Sequence, residues 1–294
     1  MFVTGCLCAV AAMTLPLDGI VRGRRRIEVR TVHIRSERLP EAFDGLRIVQ
    51  FSDLHIGTML DAVREVGAVV DTVNALKPDM VIFSGDMVTL RCDELSDRVA
   101  RLLASIDAPL GVWASVGNHD TGIYVKDSVS FAPDENRRLL LERERAMGWH
   151  VLDDTAVVVK RGDDSVSLAG VSFPDGFYDI RHDPELPPTD LSAIFGNVSP
   201  SVFNIAVCHL PQLWDDVLNA GGGDLTLAGH FHGVQAGVRI AGCRLSPARL
   251  LYRKWSGLYE RDGRWLYIND GIGCVGMFMR IGTPPEVTLF ILEK

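Results

Sequence analysis

From Leu46 onward this 294-residue chain alternates short apolar runs with amphipathic stretches, and that rhythm restricts its fold more than any other feature. Strand and helix taking turns in this way build a layered α/β domain. Residues 46–52 read as a strand. Val63, Val66, Val70, Val73 and Leu76 then recur at helical spacing, and Lys77-Pro78 ends that helix. Residues 80–84 form a second buried strand, 93–106 a second helix and 112–116 a third strand, and the helical crossovers predict parallel pairing. Farther on, 131–147 read as helix, and 157–159 and 166–171 as strands of a hairpin turning at 161–164. Strands are expected again at 203–208, 225–228, 265–268 and 287–292, with a helix near 213–218. The proline-rich stretch 174–200 has little periodicity and reads as a long surface excursion. No repeat divides the body of the chain, so residues 27–294 are expected to be one domain, preceded by the apolar and arginine-rich segment 1–26.

Chemistry is concentrated just after the strands. Asp53-Leu54-His55 follows the first, Gly85-Asp86 the second, Gly117-Asn118-His119-Asp120 the third, Cys208-His209 the fourth and Gly229-His230-Phe231-His232 the fifth. Each fragment alone has a bland reading. An Asp there is commonly a helix cap, Gly-Asn ordinary turn chemistry, and a lone His in an apolar strand a hydrogen-bonded core residue. Their conjunction is what matters, because the carboxyl ends of strands in an open α/β sheet line one crevice. Asp53, His55, Asp86, Asn118, His209, His230 and His232 are too many donors for one tetrahedral zinc, and they suit two ions sharing a carboxylate. Oxygen and imidazole donors without thiolate favour Mn, Fe or Zn. Imidazole must be neutral to bind, so occupancy is expected to fall below about pH 6.5.

Composition narrows the alternatives. A formal charge of -8 supplies no basic field for nucleic acid. Six cysteines without a C-x-x-C repeat in the body of the chain argue against a disulfide framework and against a thiolate zinc site.

The series D-x-H, G-D, G-N-H-D, H and G-H-x-H, in this order, resembles the calcineurin-like metallophosphoesterase superfamily. Leu46-Arg47-Ile48-Val49, Lys77-Pro78-Asp79, Gly257-Leu258-Tyr259 and the stretch from Arg280 to Glu286 resemble its bacterial branch of membrane-associated phosphohydrolases. The resemblance runs from about residue 40 to the end. It implies a four-layer α/β/β/α sandwich of two mixed sheets flanked by helices. It further implies one metal on Asp53, His55, Asp86 and His232 and a second on Asp86, Asn118, His209 and His230, with Asp86 the bridge. The implied reaction is hydrolysis of phosphoric ester or pyrophosphate bonds by metal-activated water attacking phosphorus in line. His119, beside a ligand but not itself one, is the candidate proton donor to the leaving group, and Asp120 the candidate for orienting it. Members of the branch include enzymes that cleave the pyrophosphate of UDP-diacylglucosamine, so a lipid-linked substrate is among the expectations, beside a soluble diester or monoester. One departure stands out: the branch commonly reads G-H-T-H-G-G-Q where this chain has Phe231 and Val234.

Outside these motifs, His33, His150 and His182 are expected to be surface or packing residues. Arg280 is a candidate for contact with phosphate or a lid, with a surface salt bridge as its plain alternative. Residues 2–17 are nearly uncharged and precede Arg22, Arg24, Arg25 and Arg26. That order suits a short membrane anchor with the following domain on the cytosolic side, although the run is shorter than the ~20 residues of a comfortable span. A non-catalytic scaffold is the rival function, disfavoured because no ligand of the set is missing. A metallo-β-lactamase-type hydrolase needs H-x-H-x-D-H early in the chain and is set aside.

Overall fold

A computed structural model describes residues 19–125, 132–174, 189–196, 198–240 and 243–294. The chain enters through an edge strand, β1 (Glu28–Arg35), and returns through β2 (Arg47–Phe51), whose Ile48, Val49 and Phe51 are fully buried. Helix α1 (Ala62–Ala75) starts at Asp61, whose side chain accepts the Arg64 N–H, and buries Val66, Val69, Val70 and Val73. It stops where Lys77 adopts a left-handed φ of 48° ahead of Pro78. Strand β3 (Met80–Phe83), helix α2 (Asp97–Leu103), strand β4 (Val112–Ser115), helix α3 (Pro133–Ala146) and strand β5 (His150–Leu152) continue the alternation. Strands β2, β3, β4 and β5 pair in parallel.

A second sheet follows. Its hairpin, β6 (Thr155–Arg161) and β7 (Asp164–Val171), leads through helix α4 (Ser192–Phe195), strand β8 (Phe203–Cys208) and helix α5 (Trp214–Asn219) to strand β9 (Leu225–Ala228). A small ribbon, β10 (Val238–Ile240) with β11 (Cys243–Leu245), precedes helix α6 (Ala248–Leu251), then the pair β12 (Gly257–Arg261) and β13 (Arg264–Ile268). The last strand, β14 (Glu286–Glu293), returns to the first sheet. The sheet orders are β1-β14-β2-β3-β4-β5 and β12-β13-β9-β8-β7-β6.

Two mixed six-stranded sheets lie face to face. Ile48, Met80, Ile82 and Phe290 of the first meet Leu168, Ile205, Val207 and Leu227 of the second in a core of fully buried side chains. On the outer face of the first sheet, Val49, Val81 and Phe83 pack against Val66, Val73, Val99 and Leu140 of α1, α2 and α3. Ala169, Ala206 and Cys208 of the second pack against Ile194, Phe195 and Val217 of α4 and α5. The result is the four-layer sandwich that the resemblance implied. The parallel strands of both sheets direct their carboxyl ends to one side, where the motifs begin.

Several details differ from the sequence reading. The helix expected over 93–106 is a 3₁₀ turn, Cys92–Glu94, followed by α2, because Ser96 caps a new helix through its side chain on Val99 N–H. Most of the stretch 174–200 lies outside the described residues. Its described end is not superficial, since Leu191, Ile194 and Phe195 are buried against β7 and β8. Strand β1 has no apolar run to mark it, because Glu28, Arg30, Thr31, His33 and Arg35 are scattered among its apolar residues, a mixture that an edge strand tolerates. Among the described residues no helix is long and apolar enough to cross a membrane.

Candidate metal centre

The first sheet supplies Asp53 and His55 after β2, Asp86 after β3 and Asn118 after β4. The second supplies His209 after β8, and His230 and His232 after β9. All seven are buried. Getting them there needs unusual backbone: Asp53, His55, Asp86, His230 and His232 have φ of 53°, 43°, 62°, 76° and 52°. Left-handed non-glycine residues cost of order 1 kcal/mol or more each, and they persist where surrounding bonds over-determine them. Here Asp53 N–H donates to Gly85 O at 2.8 Å, Gly273 N–H to Asp53 O at 2.8 Å and His55 N–H to Asp86 O at 3.2 Å. Close approach also demands glycine at two places. A Cβ on Gly117 would run into the Asp86 carboxylate, and one on Gly229 into Asp53 and Ser52.

The donor atoms fall into two groups that share one oxygen. In the first, His232 Nε2 lies 3.1 Å from His55 Nε2 and 3.2 Å from Asp53 Oδ1, and Asp86 Oδ2 lies 3.5 Å from His55 Nε2. In the second, His209 Nε2 lies 3.2 Å from the same Asp86 Oδ2 and 3.1 Å from Asn118 Oδ1, itself 3.0 Å from His230 Nδ1. All seven sequence-derived ligand candidates are therefore brought together.

Surrounding groups fix which atom of each side chain faces inward. His209 Nδ1 donates to Ser84 O at 2.7 Å, freeing Nε2. Asn118 Nδ2 donates to the Tyr124 hydroxyl at 2.8 Å, so Oδ1 points to the cluster. Asp53 Oδ2 accepts from Ser52 Oγ, the His230 N–H is shared between both carboxylate oxygens at 3.2 Å, and Oδ1 is the oxygen that faces the His232 ring. Such outer partners hold a metal site's ligands in the binding tautomer and orientation.

Burial pushes Asp53 up to about 7, with His209 opposing it. Burial would also raise Asp86, but His209 and His119 outweigh it and hold the carboxyl well below its ordinary value. Burial first, then the neighbouring His119 ring for His55 and the His55 ring and Arg280 guanidinium for His232, drive both imidazoles well below their usual range, toward the neutral form that ligates. His209 goes the other way: burial lowers it, yet Asp86 and Asp53 raise it to about 10. Among the described residues, buried His55 Nδ1 has no hydrogen-bond partner. Carboxylate, amide and imidazole donors, with lone pairs facing one another at hydrogen-bond distance, fit divalent cations between them.

His119 stands at the edge of this cluster. Its ring is 4.7 Å from that of His55, edge to face, and it stacks on Tyr124 at 4.2 Å. Its Nδ1 meets Thr89 O at 2.6 Å, so Nε2 is the atom available to a substrate. The carboxylate expected to orient it is elsewhere. Asp120 accepts the N–H groups of Asp86, Met87, Val88 and Gly117, at 2.8, 2.8, 3.3 and 2.9 Å, tying the second and third motif loops together. Thr89, not Asp120, orients His119. Asp120→Ala leaves these buried donors unsatisfied and is expected to cost about 3 kcal/mol or more in urea unfolding. Unfolding within a few tenths of a kcal/mol of wild type would refute the clamp.

Arg280 also differs from expectation. It is 1% exposed, and its guanidinium donates to Gly273 O, Asp270 O and Thr283 O, so it is neither a surface ion pair nor a phosphate contact. Both Nη2 protons go to Gly273 O at 2.6 Å and Asp270 O at 3.0 Å. The 3.4 Å approach of Nη2 to His232 Nδ1 thus sets a positive charge beside that ring without needing its lone pair. Of the remaining histidines, His33 pairs with Glu293 at 2.7 Å and His150 stacks on Trp113 at 4.3 Å. His182 lies outside the described residues.

Sequence reasoning missed Ser52, Thr89, Tyr124 and Asn269. Asn269 follows β13 as the motifs follow their strands, and its Oδ1 accepts from Gly271 N–H at 2.8 Å and lies 3.4 Å from Ser52 Oγ. The strand-end rule could have found it. Nothing in the sequence marks Thr89 or Tyr124.

The departure in the last motif has a backbone consequence. Val234 has φ 56° and ψ 19°, a conformation suited to the glycine that the resembling branch carries there. Val234→Gly is therefore expected to be about 1 kcal/mol more stable than Val234→Ala, the reverse of their usual order. Equal or inverted stabilities in thermal unfolding would show that position 234 carries no strain.

Residues 46–234 match the family model described as calcineurin-like phosphoesterase. The chain is 28% identical to the Uncharacterized metallophosphoesterase YkuE of Bacillus subtilis (strain 168), over 100% of this chain and 96% of that protein. It is 26% identical to the UDP-2,3-diacylglucosamine pyrophosphatase LpxG of Chlamydia muridarum, over 86% of each. A Bos taurus transmembrane protein with metallophosphoesterase domain is 27% identical over 98% of this chain and 62% of its own length.

Proposed function

This chain belongs to the calcineurin-like phosphoesterase family and is a metallophosphoesterase, and from that premise we propose that it hydrolyses a phosphoric ester or pyrophosphate bond of a lipid-linked substrate at a binuclear centre. Asp53, His55, Asp86 and His232 would hold one ion, and Asp86, Asn118, His209 and His230 the other. The observation that carries this reading is Asp86 Oδ2, lying 3.5 Å from His55 Nε2 and 3.2 Å from His209 Nε2. Two ions bound there would supply Lewis acidity and a water activated at neutral pH. Mn, Fe and Zn suit the donors.

The protein's own residues do the rest. His119 Nδ1 stays committed to Thr89 O, so a protonated ring delivers its proton from Nε2 to the leaving oxygen. Asp120 keeps the Asp86 and Asn118 loops in register. Buried Ser52 and the His230 N–H hold Asp53 in its acceptor orientation. Support for a lipid-linked diphosphate such as UDP-diacylglucosamine comes from the similarity to LpxG, and membrane association through the amino-terminal segment accords with its apolar run followed by arginines.

The test compares initial rates on a nucleoside diphosphate lipid, a soluble chromogenic diester and a monoester, before and after chelation. Turnover that is lost on chelation, restored by Mn and highest on the lipid diphosphate is expected. Turnover indifferent to chelation would overturn the metal centre, and preference for the soluble esters would overturn the lipid substrate.

A further inference from the structure

Among the exposed large apolar side chains of the described residues, four lie on two joined segments that continue from the metal-centre loops. Phe278 is 65% exposed and Met277 39%, on the loop that precedes Arg280, and Leu250 is 88% and Leu251 64%, on α6. These segments are stitched together. Ile281 N–H donates to Gln235 O and Gly237 N–H to Ile281 O, both at 2.8 Å, and Ser246 Oγ donates to Gly233 O at 3.2 Å. The 275–281 loop and the entrance to α6 thus share the chain that runs on from His232. Single exposed apolar residues are unremarkable, but four on joined segments beside one site call for a covering partner.

Charge points to the kind of partner. The chain carries a formal -8, yet exposed Arg22, Arg25 and Arg26 lie where the 19–26 segment crosses this loop. Arg280 N–H donates to Gly19 O at 3.2 Å, and buried Arg24 reaches Phe278 O at 3.4 Å and Thr58 O at 2.7 Å. Arg22 and Arg26 line a groove of about 670 Å³ that extends to Gly282 and Pro284. Exposed Arg249 and Arg253 flank Leu250 and Leu251. The nearly uncharged residues 2–17 precede Gly19 in sequence, with Asp18 between. Apolar side chains that can enter the acyl boundary, interleaved with arginines at headgroup level, are the makeup of an interfacial membrane contact.

We propose that the folded domain itself docks on an anionic bilayer through Phe278, Met277, Leu250 and Leu251, with Arg25 and Arg26 on the headgroups, so that the metal centre opens at the lipid surface. This places the domain's own face against lipid, beyond any anchoring by the segment before it. It rests on the metallophosphoesterase reading only for what the docked site would meet.

The full chain is mixed with phosphatidylglycerol vesicles containing brominated lipid, and the added tryptophan emission of Phe278→Trp, Leu250→Trp and, on the far edge strand β6, Val158→Trp is compared with wild type. Val158 is 60% exposed and serves as a control for surface exposure alone. Quenching at 278 and 250 but not at 158 is expected. Removing Arg25 or Arg26 as alanine is expected to weaken vesicle binding by about fivefold each, an effect that fades with salt. No quenching at 278 and 250, quenching equal to that at 158, or a stable dimer in sedimentation that covers these residues would overturn the proposal. Turnover of a soluble diester by the same variants reads the chemistry separately: its loss in wild type would sink the hydrolase, while quenching alone decides the docking.

Discussion

Asp86→Ala is expected to lose both ions and at least about a thousandfold of phosphodiester turnover, with the fold retained. Several kcal/mol of transition-state stabilisation depend on metals in such sites, and each 1.36 kcal/mol is about tenfold in rate. Asp86 Oδ2 faces donors of both groups, at 3.5 Å from His55 and 3.2 Å from His209, nearer to the second group than Asp53 Oδ1 at 4.0 Å from His209. Replacing a ligand that serves one ion, such as His55, leaves the other group of donors whole. Bound metal measured after dialysis should therefore drop from two ions to none in Asp86→Ala and to about one in His55→Ala. Equal retention in both variants would mean that Asp86 is not shared.

His119→Gln is expected to keep both ions and lose about 10²–10⁴-fold in kcat on an ester with an alkyl leaving group. An ester that releases nitrophenolate needs no proton on departure, so the loss there should be far smaller. The split follows from geometry: Nδ1 is held by Thr89 O at 2.6 Å, and the ring sits at the edge of the cluster, 4.7 Å from His55. Equal losses on both esters would reassign His119 from proton donor to a group that binds charge or metal. Thr89 contributes only its backbone carbonyl, so no side-chain substitution there should mimic the effect.

The ligand candidates were legible because chemistry and topology coincide in this fold. A polar residue close after a buried strand has few places to go, and parallel strands deliver such residues to one edge, so the convergence of Asp53, Asp86, Asn118, His209 and His230 could be read from spacing, while their division between two ions came from the family resemblance. What supports them was not legible. Asp120 looks in sequence like the partner of adjacent His119, yet its carboxylate lies among four N–H groups from two loops, an arrangement set by tertiary folding. Arg280 looks like a surface cation because arginine usually is one, and only the path of 270–283 reveals the carbonyls that enclose it. Edge strands β1 and β12 were silent for a related reason: with one neighbour each and half their residues in solvent, their sequences need no apolar run.

Crystals soaked in Mn, with anomalous difference maps calculated at the metal edge, test the central arrangement most directly. Two peaks should appear, each within bonding distance of Asp86 Oδ2, one completed by Asp53, His55 and His232 and the other by Asn118, His209 and His230. A single peak, or peaks that leave Asp86 outside the coordination of either ion, would contradict it.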